Sequence, residues 1–291
     1  TWHKGNVAAL WVGMSICVPT YTLGGVLTAY FGLSVMEALF TILIANLIVL
    51  IPLTSNAFSG TKYGIPFPVL LRSSFGLYGS NVPCLIRSFV ACGWFGIQSL
   101  FGGIACHLLF SALSPSWAVL GSAGEVYGFF MFWALNLYVV LKGANAIKQL
   151  ENWSAPLLLI VGAGLMFWAL PQINLNEVLA TKADRPEGDP ALPYLMAGVT
   201  AMVGFWATLS LNIPDFSRFV KSQKEQIVGQ VIGLTMIMLF LASLGVILTS
   251  ASTVLVGETI SDPINLIGKI DSPLLVGIAM LLIIIATLST N

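Results

Sequence analysis

A chain of 291 residues that is 57% apolar, only 8% charged and formally neutral has too few polar side chains to clothe a water-facing shell. Soluble domains usually carry roughly 25% charged residues, so the soluble classes are excluded. What remains is an all-α, polytopic membrane protein, with the lipid bilayer as its first partner and no nucleic acid expected among the others.

Eight apolar runs approach spanning length: residues 7–30, 34–55, 80–110, 126–141, 154–170, 193–211, 229–251 and 272–291. A spanning helix needs about 20 apolar residues, which leaves the fourth and fifth runs short. The first run holds Pro19 and the pair Gly24-Gly25 inside it. Such interruptions persist in lipid only where they line a protein cavity or bind something, because unpaired backbone groups there cost several kcal/mol. After the second run, Phe58 to Pro68 is dense in turn residues and leads into Val69 to Gly76. That stretch is expected to be a short interfacial segment with Arg72 at the headgroups. The third run carries Gly93-Trp-Phe-Gly-Ile-Gln98, in which Trp94 and Gln98 lie four apart and share a helix face.

The longest polar interruption follows the fifth run, from Pro171 to Pro193. The sixth run ends Gly204-Phe-Trp-Ala-Thr-Leu-Ser-Leu-Asn-Ile-Pro214, which reads as a second break. Interrupted segments five helices apart point to an inverted-repeat secondary transporter with its site at the midplane. Residues 1–170 are then the first repeat, 171–192 an extracellular connection, and 193–291 a partial second repeat. Asp215 to Glu225 is expected to form one short amphipathic helix with Asp215 at its dipole-favoured start.

Gln98 at membrane depth needs partners or a polar cavity. An indole beside an amide suits a flat heterocycle, which the ring stacks while the amide reads its N–H and C=O edges. The simpler alternative is an amide that ties two helices together. Trp206 lies at the expected break of the sixth helix, where it is either an interfacial belt residue or a second wall opposing Trp94. Trp11, Trp133, Trp153 and Trp168 read as packing or interface residues. In the last run Ala286, Ser289 and Thr290 fall at i, i+3 and i+4, offering a carbonyl and two hydroxyls. With carbonyls freed near Gly13 and Ile16 they make a candidate Na⁺ site, against the alternative that the hydroxyls bond back to the preceding turn. No carboxylate lies deep in a run, and Glu37, Arg87 and His107 are read as interfacial.

A cytoplasmic N-terminus places Lys4, Lys62, Arg72, Lys142, Lys148, Arg218, Lys221 and Lys224 inside, against Lys182, Arg185 and Lys269 outside. This obeys the positive-inside rule for a multi-pass protein of the cell membrane. Cys17, Cys84, Cys92 and Cys106 lack metal spacing and read as buried small hydrophobes. With no initiator Met and an end at Asn291 within an apolar run, a piece of a longer chain is expected.

At these residues the chain resembles the nucleobase–cation symporters, the permeases for hydantoin, allantoin, uracil and cytosine. The markers are Ser15-Ile-Cys-Val-Pro-Thr-Tyr-Thr-Leu-Gly24, Gly93 to Gln98, Gly204-Phe-Trp206, Leu211-Asn-Ile-Pro-Asp-Phe216 and Leu288-Ser-Thr-Asn291. The run from Asn212 to Phe219 is most similar to the uracil/allantoin branch. The resemblance implies a five-plus-five inverted-repeat core with discontinuous helices 1 and 6, here truncated after about eight helices. It implies substrate between Trp94 and Trp206, read by Gln98, with Phe205, Cys17 and Asn291 alongside. It implies Na⁺ held by Gly13, Ile16, Ala286, Ser289 and Thr290, with H⁺ as the other coupling ion. Cys17 stands where hydantoin-type members have glutamine.

Two other classes compete. A channel wants a polar stripe or charged ring along several helices, and a receptor binds without accumulating solute. An enzyme wants a nucleophile–base or metal constellation, which isolated His3 and His107 do not make, so no enzymatic activity is expected.

Overall fold

The computed structural model describes residues 2–142 and 144–290, and the side chains of all of these except 144–155, 289 and 290. Among the described residues every regular element is a helix, and the only extended pairing is a single parallel bridge between Trp2 and Val220. In chain order the α-helices are α1 Lys4–Ser15, α2 Val18–Ala29, α3 Val35–Tyr63, α4 Phe67–Gly79, α5 Asn81–Leu113, α6 Pro115–Ala118 and α7 Ser122–Lys142. They continue with α8 Ala144–Ala169, α9 Leu175–Leu179, α10 Ala191–Asn212, α11 Pro214–Ser217, α12 Gln223–Gln230, α13 Met236–Val256, α14 Pro263–Gly268 and α15 Pro273–Thr290. A π-turn, Val231–Thr235, joins α12 to α13 without a gap.

Five of these stretches are long and apolar enough to cross a membrane: α3, α5, α7, α10 and the continuous Gln223–Val256. The pair α1 and α2 counts as a sixth, broken pass, and Pro156–Gln172 and Pro273–Leu288 are shorter apolar helices. Each of the eight expected runs thus has its helix. Large apolar side chains such as Phe89, Phe167 and Leu274 point outward, which suits lipid contact and would not suit water.

The first break falls where expected. Cys17 is extended (φ −145°, ψ 158°) between α1 and α2, and Pro19 occupies the first turn of α2, where a missing N–H costs nothing. The sixth run corrects the expectation of a second internal break. Its helix is continuous over 22 residues and ends at Asn212. Pro214 opens the next short helix, since a first turn tolerates its missing N–H. Gly204 carries only the modest helix penalty of about 1 kcal/mol and is absorbed. The break therefore lies at the end of the sixth helix, and Trp206 sits inside regular helix. The amphipathic helix expected to start at Asp215 is also corrected, since α11 ends at Ser217 and α12 starts only after the Ser222 cap, whose hydroxyl accepts from Glu225 N–H. The interfacial segment is present as α4, with a kink at Gly76 (φ +71°), a backbone region that glycine enters freely.

The chain divides into two compact units. One comprises Thr1–Ser15, Glu37–Gly93 and Glu187–Phe240, and the other Ile16–Met36, Trp94–Pro186 and Leu241–Asn291. In the first unit α1 lies on α12 and the π-turn. A Cβ on Gly229 would stand 2.5 Å from Val7 Cβ, and one on Gly233 2.7 Å from Trp11 Cβ. The start of α1 is held by Glu225, whose carboxylate accepts from Lys4 N–H. Trp2 N–H donates to the Phe219 carbonyl at 2.7 Å, and Lys221 N–H to that of Trp2 at 2.9 Å.

In the second unit α2 and α13 meet almost backbone to backbone. A Cβ on Gly24 would fall 2.0 Å from the Ala242 carbonyl oxygen, and one on Gly245 2.0 Å from that of Tyr21. The α5 and α7 helices repeat the device, since a Cβ on Gly128 would be 2.3 Å from the Gly103 oxygen and one on Gly102 2.3 Å from the Phe132 ring. Small residues at such crossings let dispersion replace the hydrophobic drive that lipid removes. His107 is buried against Gly124 and accepts the Trp117 indole N–H at 3.1 Å.

Gly245→Val should lower the thermal midpoint sharply or abolish detergent-stable protein, since overpacking costs about 1–3 kcal/mol and here the obstacle is backbone. Gly164→Ala, which meets nothing within 4 Å, should leave the midpoint unchanged. Fluorescence-detected thermal melts of both variants check this.

Candidate functional site

The break in the first pass has a concrete backbone consequence. Thr20 N–H donates to the Cys17 carbonyl at 3.1 Å, so the Ile16 carbonyl loses the donor that a regular helix would supply four residues on. The Cys17 thiol lies 3.2 Å from Thr20 Oγ1. Cys17, Val18 and Tyr21 face a cavity of about 20 Å³ that is otherwise lined by apolar residues, among them Leu158, Gly162 and Ile283. The Tyr21 hydroxyl is buried and has no hydrogen-bond partner among the described residues. A polar group in that position costs free energy until something binds it.

Within α5 of the same unit, Gln98 is buried beside the fully enclosed Ser99, and Trp94 is half-buried one turn earlier. Ile16 and Ala286, also of this unit, are fully enclosed. The backbones of Ser289 and Thr290 continue α15, while their side chains, and Asn291 entirely, lie outside the described residues.

Trp206, Phe205 and Gly13 belong to the other unit. Trp206 is buried and its indole N–H has no partner among the described residues. Two rings meet it edge-on: Trp11 at 5.2 Å between centroids and 82°, and Phe205 at 5.0 Å and 85°. Edge-to-face pairs of this kind contribute about 0.5–1.5 kcal/mol each beyond area burial. Trp11 was legible only as a packing residue. It packs, and the ring it packs on is the one expected to face substrate.

The motif from Asn212 to Arg218 is a junction. Asn212 Oδ1 accepts from Arg87 Nε at 3.0 Å, Asp215 Oδ1 from Phe67 N–H at 2.8 Å, and the Ala57 carbonyl from Ser217 Oγ at 2.8 Å. Thr61 Oγ1 donates to the Ser217 carbonyl at 3.2 Å, and a Cβ on Gly60 would touch Pro214 backbone at 2.8 Å. The end of the sixth pass is thereby tied to α3, to the start of α4 and to α5. Arg87 is not a free snorkelling cation.

A buried amide series was missed by sequence reading. Gln226 Nε2 donates to the Thr54 carbonyl at 3.3 Å and to Gln223 Oε1 at 3.2 Å, and Gln230 Nε2 donates to Gln226 Oε1 at 2.5 Å. The i, i+3, i+7 spacing of three glutamines was the available signal.

Residues 1–291 match the family model described as permease for cytosine/purines, uracil, thiamine, allantoin. The chain belongs to this permease family. It is 38% identical to the allantoin permease of Bacillus subtilis, over 100% of this chain and 61% of that one. It is 40% identical to the purine-uracil permease NCS1 of Arabidopsis thaliana, over 98% of this chain and 49% of that one. The chain thus spans about half to three fifths of these relatives. Among solved structures it is similar to Mhp1, a nucleobase-cation-symport-1 transporter in a closed conformation with bromovinylhydantoin bound, at TM-score 0.76 and 23% identity, covering 100% of this chain and 63% of Mhp1. It is also similar to MhsT at TM-score 0.66 and 19% identity, covering 98% of this chain and 70% of that one. The all-helical fold is that of such transporters, and the family is one of permeases, not enzymes, whose members are multi-pass membrane proteins.

Asp215→Ala removes the acceptor at the start of α4, a change of the kind that costs about 0.5–2 kcal/mol at helix N-termini. It should lower the thermal midpoint by a few degrees, whereas Asp215→Asn, which keeps an acceptor oxygen, should retain most of it.

Proposed function

We propose that this chain is the substrate-handling part of a secondary active transporter that takes up a flat heterocycle of the allantoin, uracil, hydantoin or cytosine type by cation symport with alternating access. The observation that carries the reading is the broken first pass, with Ile16 stripped of its regular donor beside extended Cys17, in a chain of this permease family. Irregular backbone at membrane depth is the usual device by which inverted-repeat transporters hold substrate and ion.

In this reading Trp94 and Trp206 sandwich the heterocycle, Gln98 reads its amide edge, and Phe205, Cys17 and Asn291 complete the surround. The burial of the Gln98 amide supports it, as does the Trp206 indole N–H, which has no partner among the described residues and suits an acceptor on a heterocyclic imide. Cys17 offers only a weak donor, which favours substrates recognised mainly through stacking and one amide edge. The coupling ion in this proposal is Na⁺, held by the carbonyls of Gly13, Ile16 and Ala286 and the hydroxyls of Ser289 and Thr290. The five-plus-five repeat and a cytoplasmic N-terminus belong to the same proposal.

The test is uptake of labelled allantoin and of labelled uracil by vesicles bearing the whole protein. Accumulation under an inward sodium gradient supports symport. Equilibration without accumulation means a channel, and binding without uptake a receptor. Accumulation driven by a pH gradient and indifferent to sodium transfers the coupling to H⁺.

Trp206→Ala should weaken substrate binding about two- to tenfold, the loss expected of a stacking contact of about 0.5–1.5 kcal/mol. Gln98→Leu should cost tenfold or more, because an unpaired polar group on the substrate costs about 1–3 kcal/mol. Trp168→Ala should leave Kd unchanged. Unaltered Kd in both of the first two variants removes the sandwich. Paired Ser289→Ala and Thr290→Ala substitutions should reduce sodium's enhancement of substrate affinity, and substrate's enhancement of sodium affinity, by the same factor.

A further inference from the structure

In the first unit, between α1 and the α11–α12 region, a small, partly open cavity leaves about 10 Å³ for the centre of a water-sized sphere. Its lining includes Trp11, Ser217, Gln226 and Gln230, which are 0%, 3%, 1% and 1% exposed. Two atoms of this lining set are buried and without a partner among the described residues, and they are of opposite sense. Trp11 Nε1 is a donor without an acceptor, and Gln230 Oε1 is an acceptor without a donor.

The amide orientation follows from the network. Gln226 directs its nitrogen at the Thr54 carbonyl and at Gln223 Oε1, so its oxygen takes the Gln230 nitrogen. The Gln230 oxygen is therefore the end of the series. Ser217 spends its hydrogen on the Ala57 carbonyl and keeps lone pairs for one more donor.

We propose that this cavity is a site for a single structural water. The water accepts from the Trp11 indole N–H, donates one hydrogen to Gln230 Oε1 and gives the other to Ser217 Oγ. Three bonds are the usual complement of a buried water, and roughly 10–15 Å³ of such space is what one water needs. A cation is disfavoured by the indole N–H and an anion by two acceptor oxygens, while water serves both senses. The water is the polar pin between α1 and α12, whose apolar contact is the glycine approach at Gly229 and Gly233. It extends the amide series from Gln223 to the ring that packs on Trp206.

The experiment is a density map of the full-length protein at a resolution that shows ordered waters, together with maps and melts of Trp11→Phe, Gln230→Met and the double variant. A peak within hydrogen-bond distance of Trp11 Nε1 and Gln230 Oε1, lost in either variant, is the expected result. The double variant should then lose less thermal midpoint than the two single losses added, since either substitution alone removes the shared bridge. No peak in a wild-type map that shows waters elsewhere, or a direct Trp11–Gln230 bond, overturns the proposal. If the variants do not fold, the wild-type map decides alone. Substrate affinity plays no part in either readout, so failure of the heterocycle sandwich leaves this test intact.

Discussion

Lipid offers no hydrogen bonds, and this constraint governs where the chain is regular and where it is not. The described passes depart from a regular helical ladder only locally, at Pro52 in α3, at Pro156 in α8 and at the π-turn Val231–Thr235. The one full break is at Ile16–Cys17. Pro19 favours the interruption, because a helix running through it would lose a donor and meet a clash, a cost that α3 and α8 bear at Pro52 and Pro156. The same residue then starts α2 without strain. A single proline thus both favours the break and restarts the pass.

The glycines answer a second consequence of the same solvent. Helices in lipid gain little from burying apolar surface against each other, so contact must come from close fit. At Gly24 and Gly245 in one unit, and at Gly229 and Gly233 in the other, a methyl group would fall inside neighbouring backbone or Cβ atoms. These positions bring α2 onto α13 and α1 onto α12. Both halves of the broken pass are therefore gripped, each within its own unit, by a helix that has given up side chains to receive it. One of the points at which the chain passes from one unit to the other is Ser15–Ile16, beside the break itself.

The helices of all eight apolar runs were legible because apolar length is a strong signal, and so was the first break, where Pro19 is joined by the pair Gly24-Gly25, whereas α3 runs straight through Pro52. The sixth pass misled for a physical reason. Gly204 and Pro214 resemble the glycine and proline of the first run, but Pro214 comes after a full 22-residue helix, so it terminates and does not interrupt. The Asn212–Arg218 motif was read as a marker and as a helix start. Its actual work, receiving Arg87 and capping α4 through Asp215, joins residues more than a hundred positions apart, and no local pattern reports that. Trp11 was undervalued for the same reason, since an indole in an apolar run carries no mark of which ring it will meet.

The interior has a consistent electrostatic character. Among the described residues the buried polar side chains are hydroxyls, amides and His107, and no carboxylate, lysine or arginine is buried with them. Neutral dipoles avoid the desolvation cost of several kcal/mol that each buried ion would carry. They also impose geometry, because an amide or hydroxyl stabilises a neighbour only when aimed at it, and the net gain per bond is about 0.5–1.5 kcal/mol. A cation entering such an interior finds no fixed countercharge and must be held by several oxygens at once. In the proposed Na⁺ site the Ile16 carbonyl is an oxygen of that kind, and the broken helix leaves it without its regular donor. The polar interior, the proline-favoured break and the glycine grips are then successive consequences of building a polar site in a solvent that tolerates none.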